Sequence, residues 1–199
     1  MTRKQGTLSF FYLMLKCFWQ GGKKMSLYIT RHGETDYNVK NLVCGISDAR
    51  LTEKGIEQAK KLAVSLQSVN YRYLYVSPLQ RAVDTANLAN VRQLEMIIEP
   101  RIIEINFGKY EGIHRKDEGF LNNKHNLAFR YPGGESFIEL CKRVYEFLDE
   151  IKNQAVDNDV LLVCHGAVCR AVHSYFNDMT NDDIFNYQTD NCELLKYDY

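Results

Sequence analysis

The stretch Leu27-Tyr28-Ile29-Thr30-Arg31-His32-Gly33-Glu34-Thr35 changes character halfway along. Leu27 to Thr30 are apolar, aromatic or β-branched, which is the composition of a buried strand. Arg31, His32 and Gly33 follow at once, placing a cation, an imidazole and a flexible turn where the strand stops. Ligands of open α/β sheets bind just beyond the carboxyl ends of the strands, so this strand aims its polar groups at that edge. A capped strand running into a polar turn would look the same in isolation. Two later strands end in a similar way, and that repetition decides for a site.

The second candidate strand is Tyr73–Val76, broken by Ser77-Pro78. Proline suits the first turn of a helix, and Leu79 to Asn90 has helix-compatible composition, so Arg81 lies in that first turn. Asp159 to Cys164 is a nearly continuous apolar run, as expected of a central parallel strand, and it ends on His165-Gly166 before a helix over Ala167–Phe176. Between these, Glu34 to Arg50 reads as an irregular loop. Thr52 reads as the N-cap of a helix whose apolar stripe is Ile56, Ala59, Leu62, Ala63 and Leu66. Glu95–Glu99 reads as a third strand, Lys116–Arg130 as a helix within an irregular region, and Glu135–Asn153 as a clear amphipathic helix. Cys192–Tyr197 is expected as a last edge strand. The alternation predicts an α/β three-layer sandwich, a mostly parallel central sheet with helices on both faces, formed by one domain over 25–199.

Composition narrows the function. The 199 residues carry 25 basic and 25 acidic side chains and a net charge of +0, without the basic excess of a nucleic-acid binder. Six cysteines form no CxxC pair and no metal-ligand spacing, which points to reduced core residues and a cytoplasmic home. Leu8 to Trp19 is apolar but too short to span a bilayer, and no small-residue cleavage site follows it. Gln20-Gly21-Gly22-Lys23-Lys24-Met25 can be encoded by a purine-rich ribosome-binding sequence ahead of a start codon. Residues 1–24 are therefore expected to be translated upstream sequence, with Met25 as the true start.

Three strands thus deliver Arg31 and His32, Arg81, and His165 to one edge. Two guanidiniums converging on one spot repel unless an anion joins them, and arginine's planar fork suits phosphate oxygens. Gly33 and Gly166 allow tight turns and bring amide donors close. A tetrahedral phosphoryl group is the economical ligand.

At this point the residues resemble a known family. Arg31-His32-Gly33-Glu34-Thr35 with Asn38, Gly45, Leu51-Thr52-x-x-Gly55, Ser77-Pro78-x-x-Arg81-x-x-x-Thr85-Ala86, Glu104 with Gly108 and Glu111-Gly112, Pro132-Gly133-Gly134-Glu135-Ser136 and His165-Gly166 form an ordered set. Together they resemble the histidine phosphatase (phosphoglycerate mutase-like) superfamily from Met25 onward. The resemblance implies a phosphohistidine enzyme that needs no metal or other cofactor. His32 would be the nucleophile, Glu104 the general acid, and Arg31, Asn38, Arg81, His165 and Gly166 the groups around the phosphoryl oxygens. The partner implied is a small phosphorylated metabolite, with no nucleic acid or membrane, and the chain would act as a monomer or homodimer.

Within that resemblance a phosphomonoester hydrolase leads. Cofactor-dependent phosphoglycerate mutases resemble a longer chain with an adjacent arginine pair after the acid motif. Residues 112–131 are short here, with Arg115, Lys116, Lys124 and Arg130 scattered. An inactive phospho-ligand domain on the same fold is the reading from a different class, but no nucleophile or arginine is missing. Glu34 and Ala167 depart from the acid phosphatase and phytase pattern. A ribazole phosphatase or a broad-specificity phosphatase both remain compatible. Glu34, Glu99 and Glu111 are rival carboxylates to Glu104. His114, His125 and His173 read as surface or packing residues, and Tyr37 and Tyr110 as candidates for the pocket mouth.

Overall fold

The computed structural model describes residues 25–155 and 158–199. The expectation for residues 1–24 falls outside them. The elements are β1 (Ser26–Arg31), α1 (Asp36–Val39), α2 (Glu53–Leu66), β2 (Tyr71–Val76), α3 (Gln80–Ala89), β3 (Met96–Ile98), α4 (Glu118–Asn123), α5 (Phe137–Gln154), β4 (Asp159–Cys164), α6 (Gly166–Phe176), α7 (Asn181–Asn186) and β5 (Leu194–Asp198). Two short 3-10 turns, Pro100–Ile102 and Gly108–Tyr110, punctuate the irregular middle.

The strands order as β3-β2-β4-β1-β5 in one sheet. β2, β3, β4 and β1 run parallel, and β5 pairs antiparallel with β1 at the edge. β4 is buried along its whole length, and its side chains alternate between two cores. Val160, Leu162 and Cys164 join the core that holds Leu140, Val144 and Leu148 of α5 and Val168 and Val172 of α6. Leu161 and Val163 face the opposite core with Leu62 and Leu66 of α2 and Ala82, Ala86 and Ala89 of α3. The predicted three-layer sandwich is therefore the observed one. A register shift between Tyr71 and Tyr73 in β2 lets Tyr71 and Leu74, three residues apart, enter the same core.

Because β4 inserts between β1 and β2, the carboxyl ends of these three strands are neighbours. Backbone bonds lace the ends together, His32 N to the Cys164 carbonyl at 2.9 Å and Ser77 N to the Val163 carbonyl at 3.0 Å. The groups leaving those strands are thereby brought to one place, at the crevice where parallel sheets bind ligands.

Local differences from the sequence expectation have local causes. Thr52 caps α2 as predicted, accepting from Gly55 N. The expected irregular loop over 34–50 contains α1, closed by a capping box between Thr35 and Asn38. The helix expected over 116–130 shrinks to α4, in which Phe120 is the one buried residue, so no apolar stripe continues it. α7 was not expected, although Thr180 and Asp183 form its capping box. α5 begins two residues later than predicted, where Ser136 and Glu139 close another such box.

That last cap gives a direct test. Ser136→Ala removes the acceptor for Glu139 N, 3.2 Å away, and should lower unfolding stability by about 1 kcal/mol. Urea titration of variant and wild type measures the difference.

Candidate active site

His32 leaves β1 and turns its ring back so that Nδ1 lies 2.8 Å from the Gly33 carbonyl. A carbonyl only accepts, so Nδ1 carries the proton and Nε2 keeps its lone pair. The Arg81 Nε–H lies 3.3 Å from that Nε2. The His165 ring is 5.2 Å from the His32 ring, centroid to centroid. Both histidines are buried, and Arg81 is 1% exposed. Two imidazoles and a guanidinium far apart in sequence therefore share one buried spot, with Arg31 beside them.

The burial of Arg81 rests on backbone carbonyls. Its Nη1 and Nη2 donate to Ser47 and Gly45 at 2.9 and 2.5 Å. The Glu111 carboxylate fixes that loop in turn, accepting from the amides of Gly45, Ile46, Ser47 and Phe107 at 2.9 to 3.3 Å. Thr85 ties α3 to the first turn, its hydroxyl accepting from Gly33 N at 3.0 Å and donating to the Arg81 carbonyl at 2.7 Å. Gly33 is required by close approach, since a Cβ there would sit 2.5 Å from the Gly55 carbonyl oxygen.

The rival carboxylates separate by partner. Glu34 is taken by Thr52 and Lys54 at 2.9 and 2.7 Å, Glu99 by Arg101 at 2.8 Å, and Glu111 by the loop amides. Glu104 is buried, and its oxygens accept from the amides of Ile105 at 2.9 Å and Ala167 at 3.2 Å. Gly166 opens α6 beside it, 3.9 Å from a Glu104 oxygen and 3.7 Å from Arg31 Nε when measured from an ideal Cβ position. Asn38 has its side-chain oxygen turned to Thr35 N at 3.0 Å, so only its amide donors are left to face a ligand.

A cavity of about 410 Å³ is lined by Arg31, Glu104 and Gly166 of the predicted site, whereas His32, Asn38, Arg81 and His165 do not line it. Its aromatic wall includes Tyr131 and Tyr187, and neither Tyr37 nor Tyr110 takes part. His125, expected to be a surface or packing residue, lines it as well. Four buried side-chain atoms among the described residues have no hydrogen-bond partner, and three of them, Arg31 Nε, His165 Nδ1 and Thr189 Oγ1, belong to this region. Thr189 also holds Arg31 by its carbonyl, 2.9 Å from Nη1. Neither Thr189 nor Asn191, whose amide donates to the His32 carbonyl at 2.7 Å, carries a local sequence signal. Ser77 does more than open a helix, since its hydroxyl lies 2.6 Å from His165 Nε2. When Ser77 donates there, the unpartnered Nδ1 of His165 becomes a free donor.

This arrangement can hold a tetrahedral anion and attack it. It also matches known proteins. The model of the histidine phosphatase superfamily (branch 1) fits residues 27–199. The chain belongs to this superfamily. It is 31% identical over 178 residues to phosphoserine phosphatase 1 of Hydrogenobacter thermophilus, covering 84% of this chain and 83% of that one. It is 30% identical over 170 residues to a 2,3-bisphosphoglycerate-dependent phosphoglycerate mutase of Cytophaga hutchinsonii, covering 79% and 80%. The crystal structure of the alpha-ribazole phosphatase from Shigella flexneri superposes with a TM-score of 0.77 at 30% identity, covering 86% and 89%. The phosphoglycerate mutase-like resemblance and the α/β fold are thus those of a histidine phosphatase. Among the described residues no group of three or more His, Cys, Asp or Glu side chains is placed to hold a metal. None of their helices is long and apolar enough to cross a membrane.

In this histidine phosphatase both site imidazoles are hard to protonate. Burial, then Arg81 and Arg31, push His32 well below its ordinary 6.5. Burial, then Arg81, His32 and Arg31, do the same to His165. Below pH 6.5 the unfolded chain therefore binds protons that the folded chain refuses, so stability falls as pH drops through that value. Chemical unfolding in a phosphate-free buffer between pH 7 and 5 should show this loss (above the ordinary carboxylate range), and His165→Asn should flatten the slope. Added inorganic phosphate should oppose it, because a bound anion favours the charged rings.

Proposed function

We propose that this chain hydrolyses the phosphomonoester of a small metabolite through a phosphohistidine on His32. The observation that carries the proposal is the fixed tautomer of His32: the Gly33 carbonyl holds Nδ1–H at 2.8 Å and leaves the Nε2 lone pair toward the Arg81 guanidinium. Nucleophile and anion-binding group thereby address the same atom. The relatives named above, two phosphatases and a mutase, support the same chemistry.

In the first half-reaction Nε2 of His32 attacks phosphorus, and the bond to the ester oxygen breaks. Arg31, Arg81 and the Nδ1–H of His165 receive the oxygens of the phosphoryl group, with the amide of Asn38 as a further donor. Such fixed donors act mainly on developing charge in a site that excludes water. Glu104 passes a proton to the departing alkoxide, help typically worth about 100- to 10,000-fold in rate. In the second half-reaction Glu104 takes a proton from water as its oxygen attacks phosphorus, and His32 leaves with its lone pair restored. Phosphate is released, and no metal enters either step.

Water is favoured as acceptor because the stretch between Gly112 and Tyr131 is short and contributes a single six-residue helix, α4. The five described cysteines are all free thiols, which suits action in the cytoplasm.

A panel of phosphorylated metabolites assayed with EDTA present tests substrate, hydrolysis and metal independence together, and turnover should survive the chelator. His32→Ala should abolish it and prevent trapping of an acid-labile phosphoenzyme. Glu104→Gln should slow alkyl phosphates by about 100-fold or more, while p-nitrophenyl phosphate, whose leaving group scarcely needs a proton, should lose far less. Equal loss on both would remove Glu104 from the acid role.

A further inference from the structure

Consecutive peptides of the turn that carries His32 are held in different ways. The peptide between His32 and Gly33 is fixed at both ends: the Asn191 amide donates to its carbonyl at 2.7 Å, and its N–H donates to the Thr85 hydroxyl at 3.0 Å. The peptide between Glu34 and Thr35 is fixed at both ends as well. Thr52 N donates to its carbonyl at 2.9 Å, and its N–H donates to the Asn38 side-chain oxygen at 3.0 Å. The peptide between these two faces the nucleophile. Its carbonyl, that of Gly33, lies 2.8 Å from His32 Nδ1, and its N–H, that of Glu34, donates to Gln58 Oε1 at 2.8 Å. Among the described residues, its hydrogen-bond partners are therefore His32 itself and Gln58.

The orientation of this middle peptide decides which ring nitrogen of His32 carries the proton. With the carbonyl toward Nδ1, that nitrogen must donate, and Nε2 keeps its lone pair. Turned over, the same peptide presents an N–H, which only donates. Nδ1 would then have to accept, and the proton would sit on Nε2, where it blocks attack on phosphorus. Gly33 has no Cβ to resist the rotation on its side. Gln58 resists it by keeping the Glu34 N–H turned toward α2. Gly55, one turn earlier in α2, lets the helix come close enough for this, since a Cβ there would collide with the Glu34 carbonyl oxygen. Gln58 itself is half-buried and does not line the cavity.

We infer that Gln58 is a positioning residue for the nucleophile: through the Gly33–Glu34 peptide it selects the tautomer of His32 that can attack. The inference rests on the phosphohistidine reading above and adds to it a residue that does not touch the substrate.

Two variants test it. Gln58→Met removes the acceptor at nearly constant volume and helix propensity, and Gln58→Glu keeps an oxygen acceptor at the same reach. A proton–nitrogen correlation spectrum of protein carrying isotope-labelled histidine reads the tautomer at neutral pH, with the His32 signals identified by their loss in His32→Ala. Wild type and Gln58→Glu should show the Nδ1–H form. Gln58→Met should show a population of the Nε2–H form, and its kcat on p-nitrophenyl phosphate should fall by about 10-fold, the scale of one lost hydrogen bond between neutral groups. Inorganic phosphate should inhibit Gln58→Met no less strongly than wild type, because an Nε2–H would donate to the anion. Gln58→Glu should turn over like wild type. An unchanged His32 spectrum in Gln58→Met would overturn the inference and leave the hydrolase intact. A fall in kcat accompanied by weaker phosphate inhibition, or shared by Gln58→Glu, would overturn it too, since Gln58 would then serve the shape of the pocket. If wild type turned over neither p-nitrophenyl phosphate nor any metabolite of the panel, the hydrolase reading would fall, while the ring spectra would still decide whether Gln58 sets the tautomer.

Discussion

Positive charge held out of water without a carboxylate beside it is the constraint around which this molecule is arranged. A buried cation is costly unless something compensates it. For Arg81 the compensation comes from the carbonyls of Gly45 and Ser47 and from the lone pair of His32. These partners orient the guanidinium without cancelling its charge. The two imidazoles respond by staying neutral, which leaves one of them able to act as a nucleophile. The same electrostatic pressure that keeps protons off His32 suits the spot to an anion.

Carboxylates are present nearby, but the fold commits them elsewhere. Glu111 binds a fan of backbone amides and so acts on Arg81 at one remove, through the Gly45–Ser47 turn. Glu135 and Arg143 lock together behind Glu104, and Arg143 also binds the carbonyls of Arg101, Ile103 and Glu104 at 2.6 to 3.3 Å. Of these carboxylates Glu104 keeps only amide partners while facing the cavity. Support of this type lets a site remain cationic without collapsing onto its own acids.

Much of this was legible in the sequence because it is encoded locally. Short apolar runs marked β1 and β4, stripes of period 3.6 marked α2 and α5, and the residues leaving β1, β2 and β4 pointed to one sheet edge. What the sequence hid depends on contacts between distant segments. Arg115 and Arg170 look like unrelated surface charges until the fold places them in one cavity. Thr189 and Asn191 lie in an irregular stretch without pattern. The helix expected over 116–130 failed for a different reason: apolar residues are present there, but Phe120 is the only one α4 buries, and propensity without burial does not sustain a long helix. Tyr131, which no motif singles out, is cavity wall.

The stretch from Tyr187 to Asn191 supplies the carbonyl that holds Arg170, the carbonyl that holds Arg31, and the amide that holds the backbone of His32. It is joined to β5, an edge strand with one neighbour, and the bond from Asn191 to His32 spans 159 positions of chain. Edge strands are among the first parts of a fold to open. On heating, therefore, catalysis should fade while both hydrophobic layers are still intact, and it should return on cooling without a full round of refolding.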